Sequence, residues 1–299
     1  MIHEVGRMPQ KSSYYAFDKL FSAARYGVYV LLYFLSRITR QSEISVLMYH
    51  SVSPASSKYS VIPAEFRRQM AHLMKNYTIV SLNEIKEFVE GKRKLPRKSV
   101  AITFDDGYLD NYTNAYPYLR KNQLPATIFI ATNYVQKEML LDNSYLPMLS
   151  WKEITEMSRN DVEFGAHTSH HPDLLRIDTQ TAEREILESK EEIEKRTGQR
   201  VDSFAYPFGR YGKKVADLVR RKGFRCAFGG EGLIRKDADE FAVHRVEVKR
   251  STSLPLFKIR LTIALDWYKA LHKAFARACA QSPLRSTILD FYNRFESQD

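Results

Sequence analysis

From residue 44 onward, short apolar runs alternate with longer segments in which apolar residues recur every three or four positions. The runs at 44–49, 99–104, 126–131, 162–166, 203–206, 226–228 and 243–248 are nearly continuous in apolar character, the mark of strands covered on both faces. Between them, residues 181–196 set Ala182, Ile186 and Ile193 on one face with charges opposite, and Gly198 follows as a stop, so a helix is predicted there. Helices are also predicted over 63–75, where Pro63 sits at a tolerated early position, and over 82–90. Residues 114–121 carry a weaker helical pattern interrupted by Pro117. Alternation of this kind predicts a parallel sheet or barrel wrapped by helices.

Both ends depart from that pattern. Residues 17–38 form an apolar and aromatic helical stretch, but Arg25 and Arg37 bracket an uncharged run too short for the roughly twenty residues that span a bilayer. No small-residue cleavage site follows it, so a removable signal peptide is a poor match. With Lys19, Arg25, Arg37 and Arg40 around interior tyrosines, an interfacial helix at an anionic membrane surface is expected, packing against the remaining domain being the alternative. At the other end, 256–280 and 287–295 read as helices, with Tyr268, Leu271, Phe275 and Cys279 at the spacing of a packing face. The expected organisation is therefore 1–43 as an N-terminal helix, 44–250 as the catalytic domain and 251–299 as a helical extension.

Composition narrows the class. At 44% hydrophobic and 27% charged over 299 residues, the chain has enough apolar content for one large folded α/β domain. A net charge of +11 favours anionic partners. Nucleic acid is disfavoured, because there is no aromatic RNA-binding strand, zinc-finger spacing or long basic run. The two cysteines, Cys226 and Cys279, are expected as buried small hydrophobes and leave the redox compartment open.

Three separated segments carry chemistry. The run from Ser99 ends in Asp105, Asp106 and Gly107; at the C-terminal end of a barrel strand, paired carboxylates face the catalytic side, where one can bind a divalent metal while the other acts as general base. Alone, Asp-Asp-Gly is commonly just a turn. The run from Val162 leads into His167, His170 and His171; His167 and His171 are four apart, facing the same way if they share a helical turn, and neutral imidazole suits zinc. His170 is left for a supporting hydrogen bond or exposure. The run from Ser203 ends in Tyr206-Pro207-Phe208-Gly209, a rigid turn whose backbone N–H could stabilise a tetrahedral oxyanion. Together these residues supply three metal ligands and a base with an open position for water. A serine-hydrolase elbow and a glycine-rich phosphate loop are both missing.

These motifs resemble the polysaccharide deacetylases of the NodB-homology type, carbohydrate esterase family 4, over about 44–248. Thr103-Phe-Asp-Asp-Gly107 matches the first motif, and His167 to His171 followed by Pro172 the second. The resemblance implies a distorted (β/α)7-type barrel, an α/β fold, with the extra terminal helices added to it. It implies one divalent ion, zinc expected with cobalt or nickel as alternatives, held by Asp106, His167 and His171, with Asp105 as base. The third motif departs: Ala205 stands where the family often has arginine and Phe208 where it has tyrosine. The oxyanion role needs only the Phe208 backbone, within the turn begun by Tyr206.

Arg245 is the candidate replacement for the absent guanidinium. The late Leu-x-His-Asp motif is also absent, leaving the neighbouring His244 as candidate general acid. His50 resembles a histidine at the barrel mouth in the exopolysaccharide branch, which the segment 46–52 also suggests. The expected activity is metal-dependent removal of acetyl groups from an N-acetylated polysaccharide or lipid-linked sugar, in the cytoplasm or cell envelope and peripheral to a membrane. The rivals are a catalytically silent glycan-binding protein on the same fold and a membrane-bound scaffold.

Overall fold

In the computed structural model, which describes residues 27–36, 38–39, 43–55, 57–235 and 237–280, the seven expected strands all form. They are β1 (Ser45–Tyr49), β3 (Ser99–Phe104), β4 (Ala126–Ile130), β7 (Val162–Ala166), β8 (Ser203–Ala205), β9 (Cys226–Glu231) and β10 (Val243–Glu247). Three short strands join them: β2 (Thr78–Ile79) and the antiparallel hairpin β5 (Glu138–Leu141) and β6 (Ser144–Pro147). The sheet order is β1-β10-β9-β8-β7-β4-β3, all parallel, and an in-register pairing of β3 with β1 closes seven strands into a barrel.

β2 and β4 share one edge of β3. β2 pairs with Ser99 and Val100 at its start, and β4 with Thr103 and Phe104 at its end. Every residue of β3 is buried, as expected for a strand paired on both sides inside a helical wrap. Val46, Ala101, Phe129, Cys226, Phe228 and Val243 meet in the barrel core; burying a large apolar side chain of this kind contributes roughly 1.5–3 kcal/mol.

The helices follow local chemistry. α2 (Pro63–Asn76) starts on its proline, and α3 (Leu82–Val89) on a Ser81–Glu84 capping box. α4 (Tyr116–Lys121) carries Pro117 in its first turn, where no N–H is needed, and is preceded by a wide π-helical turn at Asn111–Ala115. α5 (Trp151–Ser158) begins on a second capping box, Ser150–Glu153, and α6 (Thr179–Thr197) runs from the Asp178 cap to left-handed Gly198. α7 (Lys213–Arg221) buries Val215, Leu218 and Val219.

The predicted single helix over 256–280 is two: α8 (Leu254–Arg260) ends at Leu261, and α9 (Ala264–Ala280) begins after the break. The chain divides into a barrel unit, Gln41–Leu261, and a second unit, Met1–Arg40 with Thr262–Asp299. The barrel unit thus reaches beyond the expected boundary at 250, because α8 packs on α2. In the second unit, helix α1 over 27–36 stacks Tyr29 on Tyr268 of α9, ring centroids 4.0 Å apart. Leu31, Phe34, Leu35 and Ile38 are exposed. The predicted helical stretch before residue 27, Arg37, Arg40, the predicted helix over 287–295 and the Phe275 and Cys279 side chains lie outside what is described. No helix among the described residues is long and apolar enough to cross a membrane.

Candidate active site

The C-terminal ends of β3 and β7 turn abruptly. After Phe104, the Asp105 N–H still donates to the Tyr49 carbonyl at 2.8 Å, but Asp106 adopts φ +70° and Gly107 φ +88°. The positive φ of Gly107 is one that glycine adopts without strain, and a Cβ at residue 107 would also stand 2.6 Å from Ile130 Cδ1. After Ala166, Thr168 takes φ +66° and His171 φ +55°. For a β-branched threonine this is a strained conformation, held by the His171 N–H donating to Thr168 Oγ1 at 3.0 Å. His167 and His171 therefore converge through a left-handed loop, not along the helical turn that their spacing suggests.

Their convergence on Asp106 is close. Asp106 Oδ1 stands 3.4 Å from both His167 Nε2 and His171 Nε2, which are 3.2 Å from each other. Tetrahedral ligands held about 2.1 Å from a zinc-like ion lie about 3.4 Å apart, so this triangle has the size such a cation needs. Asp106 Oδ1 is buried without a hydrogen-bond partner; a carboxylate oxygen isolated in this way is costly unless a ligand meets it. These three residues are also the one Asp/Glu/His/Cys group among the described residues with atoms placed to share an ion. The donor set fits a divalent metal.

His167 Nδ1 lies 2.7 Å from the Ala205 carbonyl, which can only accept, so Nδ1 carries a proton and Nε2 is left on the Asp106 side. Burial pulls this imidazole's pKa down, but Asp106 and Asp105 prevail and raise it above its ordinary value. Burial pulls the His171 imidazole down to about 4, against the attraction of Asp106, and keeps it neutral. Burial alone would raise Asp106, but the two imidazoles hold it well below the usual carboxylate range.

Asp105 is paired differently. Arg245 meets it through two parallel bonds, Nη1 to Oδ1 and Nη2 to Oδ2, each 2.6 Å, and Nη1 also reaches Thr103 Oγ1 at 3.2 Å. Arg245 is 1% exposed. Burial pushes the Asp105 carboxyl up, yet the Arg245 charge and its bidentate fork prevail and hold it below its ordinary value. Arg245 thus reaches the carboxylate from β10, while Ala205 contributes its carbonyl to His167.

The cluster opens on a cavity of about 700 Å³. Asp105, Asp106, His167, His171, His50 and Phe208 line it. Phe208, at φ +59°, lays its ring 4.6 Å from that of His171. His50 stands 5.1 Å from the Tyr59 ring with Nδ1 buried and without a hydrogen bond. Two expected site residues are elsewhere. His244 is not among the lining residues, and its ring packs on Gly230. The Tyr206 side chain is buried, stacks on Tyr211 and donates to the Phe241 carbonyl at 3.0 Å. His170 is exposed and pairs with Glu185 at 2.8 Å. Sequence reasoning missed Tyr59, Tyr108, Tyr134 and Met139 in the lining. Tyr108 had a signal, since it directly follows the Asp-Asp-Gly turn.

Comparison with known proteins agrees with this geometry. The sequence profile of the polysaccharide deacetylases matches residues 92–227. YxkH of Bacillus subtilis, a polysaccharide deacetylase by name, is 30% identical over 216 residues, 72% of this chain and 74% of its own. The poly-beta-1,6-N-acetyl-D-glucosamine N-deacetylase of Staphylococcus aureus is 28% identical over 212 residues, 67% and 71% of the two chains. Among solved structures, the Streptococcus pyogenes deacetylase PplD in complex with acetate superposes with a TM-score of 0.64 at 25% identity, covering 73% of this chain and 97% of that one. IcaB from Ammonifex degensii does so with a TM-score of 0.64 at 27% identity, covering 73% and 96%. The chain belongs to the polysaccharide deacetylase family, in its exopolysaccharide branch, and its barrel is the seven-stranded kind of that family.

Proposed function

We propose that this protein hydrolyses the N-acetyl group of a hexosamine within an exopolysaccharide-type glycan, releasing acetate and leaving a free amine on the sugar. The observation that carries the reading is the pairing of two adjacent carboxylates with different partners: Asp105 on Arg245, Asp106 facing two imidazoles. Similarity to a poly-beta-1,6-N-acetyl-D-glucosamine N-deacetylase supports an N-acetylglucosamine polymer as substrate class.

Asp106, His167 and His171 would hold the divalent ion, with zinc favoured by a set of two imidazole nitrogens and one carboxylate. What such a cation adds when held there is Lewis acidity toward the acetamide carbonyl and a more acidic attacking water. Asp105, kept ionised and oriented by Arg245, takes the proton from water as its oxygen bonds to the acetyl carbon. The Phe208 backbone N–H meets the negative charge growing on the carbonyl oxygen. As the C–N bond breaks, the nitrogen needs a proton; His50, at the cavity mouth with its Nδ1 unpartnered, is the donor in place of His244.

Acetate release from N-acetylglucosamine oligomers tests this, with metal-loaded protein, chelated protein and His171→Ala, and metal content measured in parallel. Metal-dependent release lost in both controls is expected. A tightly bound ion with no release from any N-acetylated glycan would instead favour a silent glycan-binding protein.

We also propose that the second unit docks on an anionic lipid surface. Leu31, Phe34, Leu35 and Ile38 fall at i, i+3, i+4 and i+7, an apolar stripe left exposed, and Arg25, Arg37 and Arg40 flank it in sequence. Flotation with phosphatidylglycerol vesicles but not phosphatidylcholine vesicles, lost in Phe34→Glu, is expected; equal flotation of wild type and variant would overturn it.

A further inference from the structure

His50 leaves the end of β1 at the cavity mouth, and the groups that fix its backbone come from just beyond the Asp-Asp-Gly turn. Asn111, 1% exposed, donates from Nδ2 to the His50 carbonyl at 2.7 Å. Asp110 Oδ1 accepts from the Val52 N–H at 2.8 Å, and its Oδ2 from the Ser51 hydroxyl at 2.6 Å. Asn114 Nδ2 donates to the Val52 carbonyl at 2.8 Å. Asn111 Nδ2 also reaches Asp110 Oδ1 at 3.2 Å, which joins these two side chains, and Asn114 shares Val52 with Asp110. Residues 50, 51 and 52 are therefore each gripped by a side chain from 110–114.

The local backbone explains why these residues can reach. Asn111–Ala115 is a π-helical turn, wider than an α-turn, and such turns recur at functional sites. It follows directly on the loop carrying Asp105 and Asp106, so the carboxylates and the grip on His50 are rigidly linked through few bonds. The plainer reading is that Asp110, Asn111 and Asn114 merely satisfy a loop. Against that, the gripped segment carries a cavity-lining imidazole whose own Nδ1 is buried and unpartnered. A ring without its own hydrogen bond there takes its position from its backbone and from the neighbouring Tyr59 face.

We propose that Asp110, Asn111 and Asn114 are positioning residues that aim the His50 imidazole at the departing sugar nitrogen. The inference rests on the deacetylase reading and on His50 as proton donor. It makes a distinction that a structural role would not: an amine must be protonated to leave, whereas 4-nitrophenolate leaves without help. Aiming a proton donor therefore matters for N-acetylglucosamine oligomers and hardly at all for 4-nitrophenyl acetate.

The experiment measures kcat and KM for both substrates with zinc-loaded wild type, Asn111→Ala, Asn114→Ala, His50→Ala and the His50→Ala/Asn111→Ala double variant. For Asn111→Ala, kcat on the oligomer is expected to fall at least about tenfold with KM within about twofold, while ester hydrolysis stays within about twofold. The double variant is expected to lose no more than His50→Ala alone, since both changes remove the same interaction. Equal loss on both substrates, no loss on the oligomer, or additive losses in the double variant would overturn the proposal. Should Asn111→Ala not fold, Asn114→Ala carries the same test through the Val52 carbonyl. If wild type cleaves neither substrate, the deacetylase reading itself fails, an outcome separate from any pattern among the variants.

Discussion

The two ends of the barrel each bury a cation against carboxylates, and they treat them in opposite ways. At the end where the strands begin, Lys86 of α3 is 3% exposed and bonds Glu163 at 2.9 Å and Asp202 at 2.5 Å; Arg225 then ties Asp202 to Glu90. None of these five side chains has a buried polar atom without a partner. At the end where the strands finish, Arg245 compensates Asp105, but Asp106 Oδ1, His50 Nδ1 and Tyr108 Oη are buried, unpartnered and set around a cavity. A buried charge is tolerable at either place because it is paired. What separates the Asp106 cluster from the Lys86 cluster is the polar atoms left over around a cavity.

That contrast can be broken by moving charge. Arg245→Met is expected to lower kcat about a hundredfold or more per folded molecule, because the general base loses the fork that orients it. Arg245→Lys should fall between, keeping the charge without the bidentate geometry. Lys86→Met is expected to cost about 3 kcal/mol in urea unfolding, by stranding buried carboxylates, with kcat of the folded fraction unchanged. If Lys86→Met lowered kcat as much as Arg245→Met does, the two ends would not differ in kind.

The comparison sharpens with a ligand that only one end can bind. Zinc at a hundred times its dissociation constant is expected to add about 2.7 kcal/mol to stability, read as a rise in unfolding midpoint. His171→Ala should abolish that rise and Lys86→Met should leave it intact. The smallest effect belongs to Glu90, whose carboxyl is brought down to about 2 by its hydrogen bond to Arg225 against slight burial. A carboxyl depressed on folding contributes stability that is full above its unfolded value and is lost as the pH falls toward the folded one. The difference in urea midpoint between wild type and Glu90→Gln should therefore be present at pH 6 and shrink between pH 4.5 and 2; a constant difference would show that the charge is not what matters.

The sequence made some of this legible for clear physical reasons. Parallel strands buried on both faces must be apolar throughout, so β1, β3, β4 and β7 through β10 stood out, as did Asp105, Asp106, His167 and His171 at their ends. Arg245 was reachable only by asking what replaces the arginine missing at Ala205. His244 was named for its place beside Arg245. In β10, however, it is Arg245 that reaches Asp105, while His244 packs on Gly230, and residues next to each other in a strand commonly face opposite sides.

Tyr206 was misread because its hydroxyl is satisfied at Phe241, a partner outside its own segment. The hairpin β5–β6 is short and half exposed, and its alternation covers only a few residues. α5 and α7 were not predicted, although the Ser150–Glu153 capping box and the spacing of Val215, Leu218 and Val219 were signals for them. The π turn at 111–115 had no such signal, since its asparagines answer to a loop some sixty residues away.

The ring closes last where the chain ends its sheet. Arg245 and Asp105 are 140 positions apart, and β10 is the final strand to be made, laid between β9 and β1. During synthesis Asp105, Asp106, His167 and His171 all leave the ribosome before Arg245 does. The ion pair therefore exists only in the closed barrel: a chain stopped before β10 would carry Asp105, Asp106, His167 and His171 but lack the guanidinium that meets Asp105.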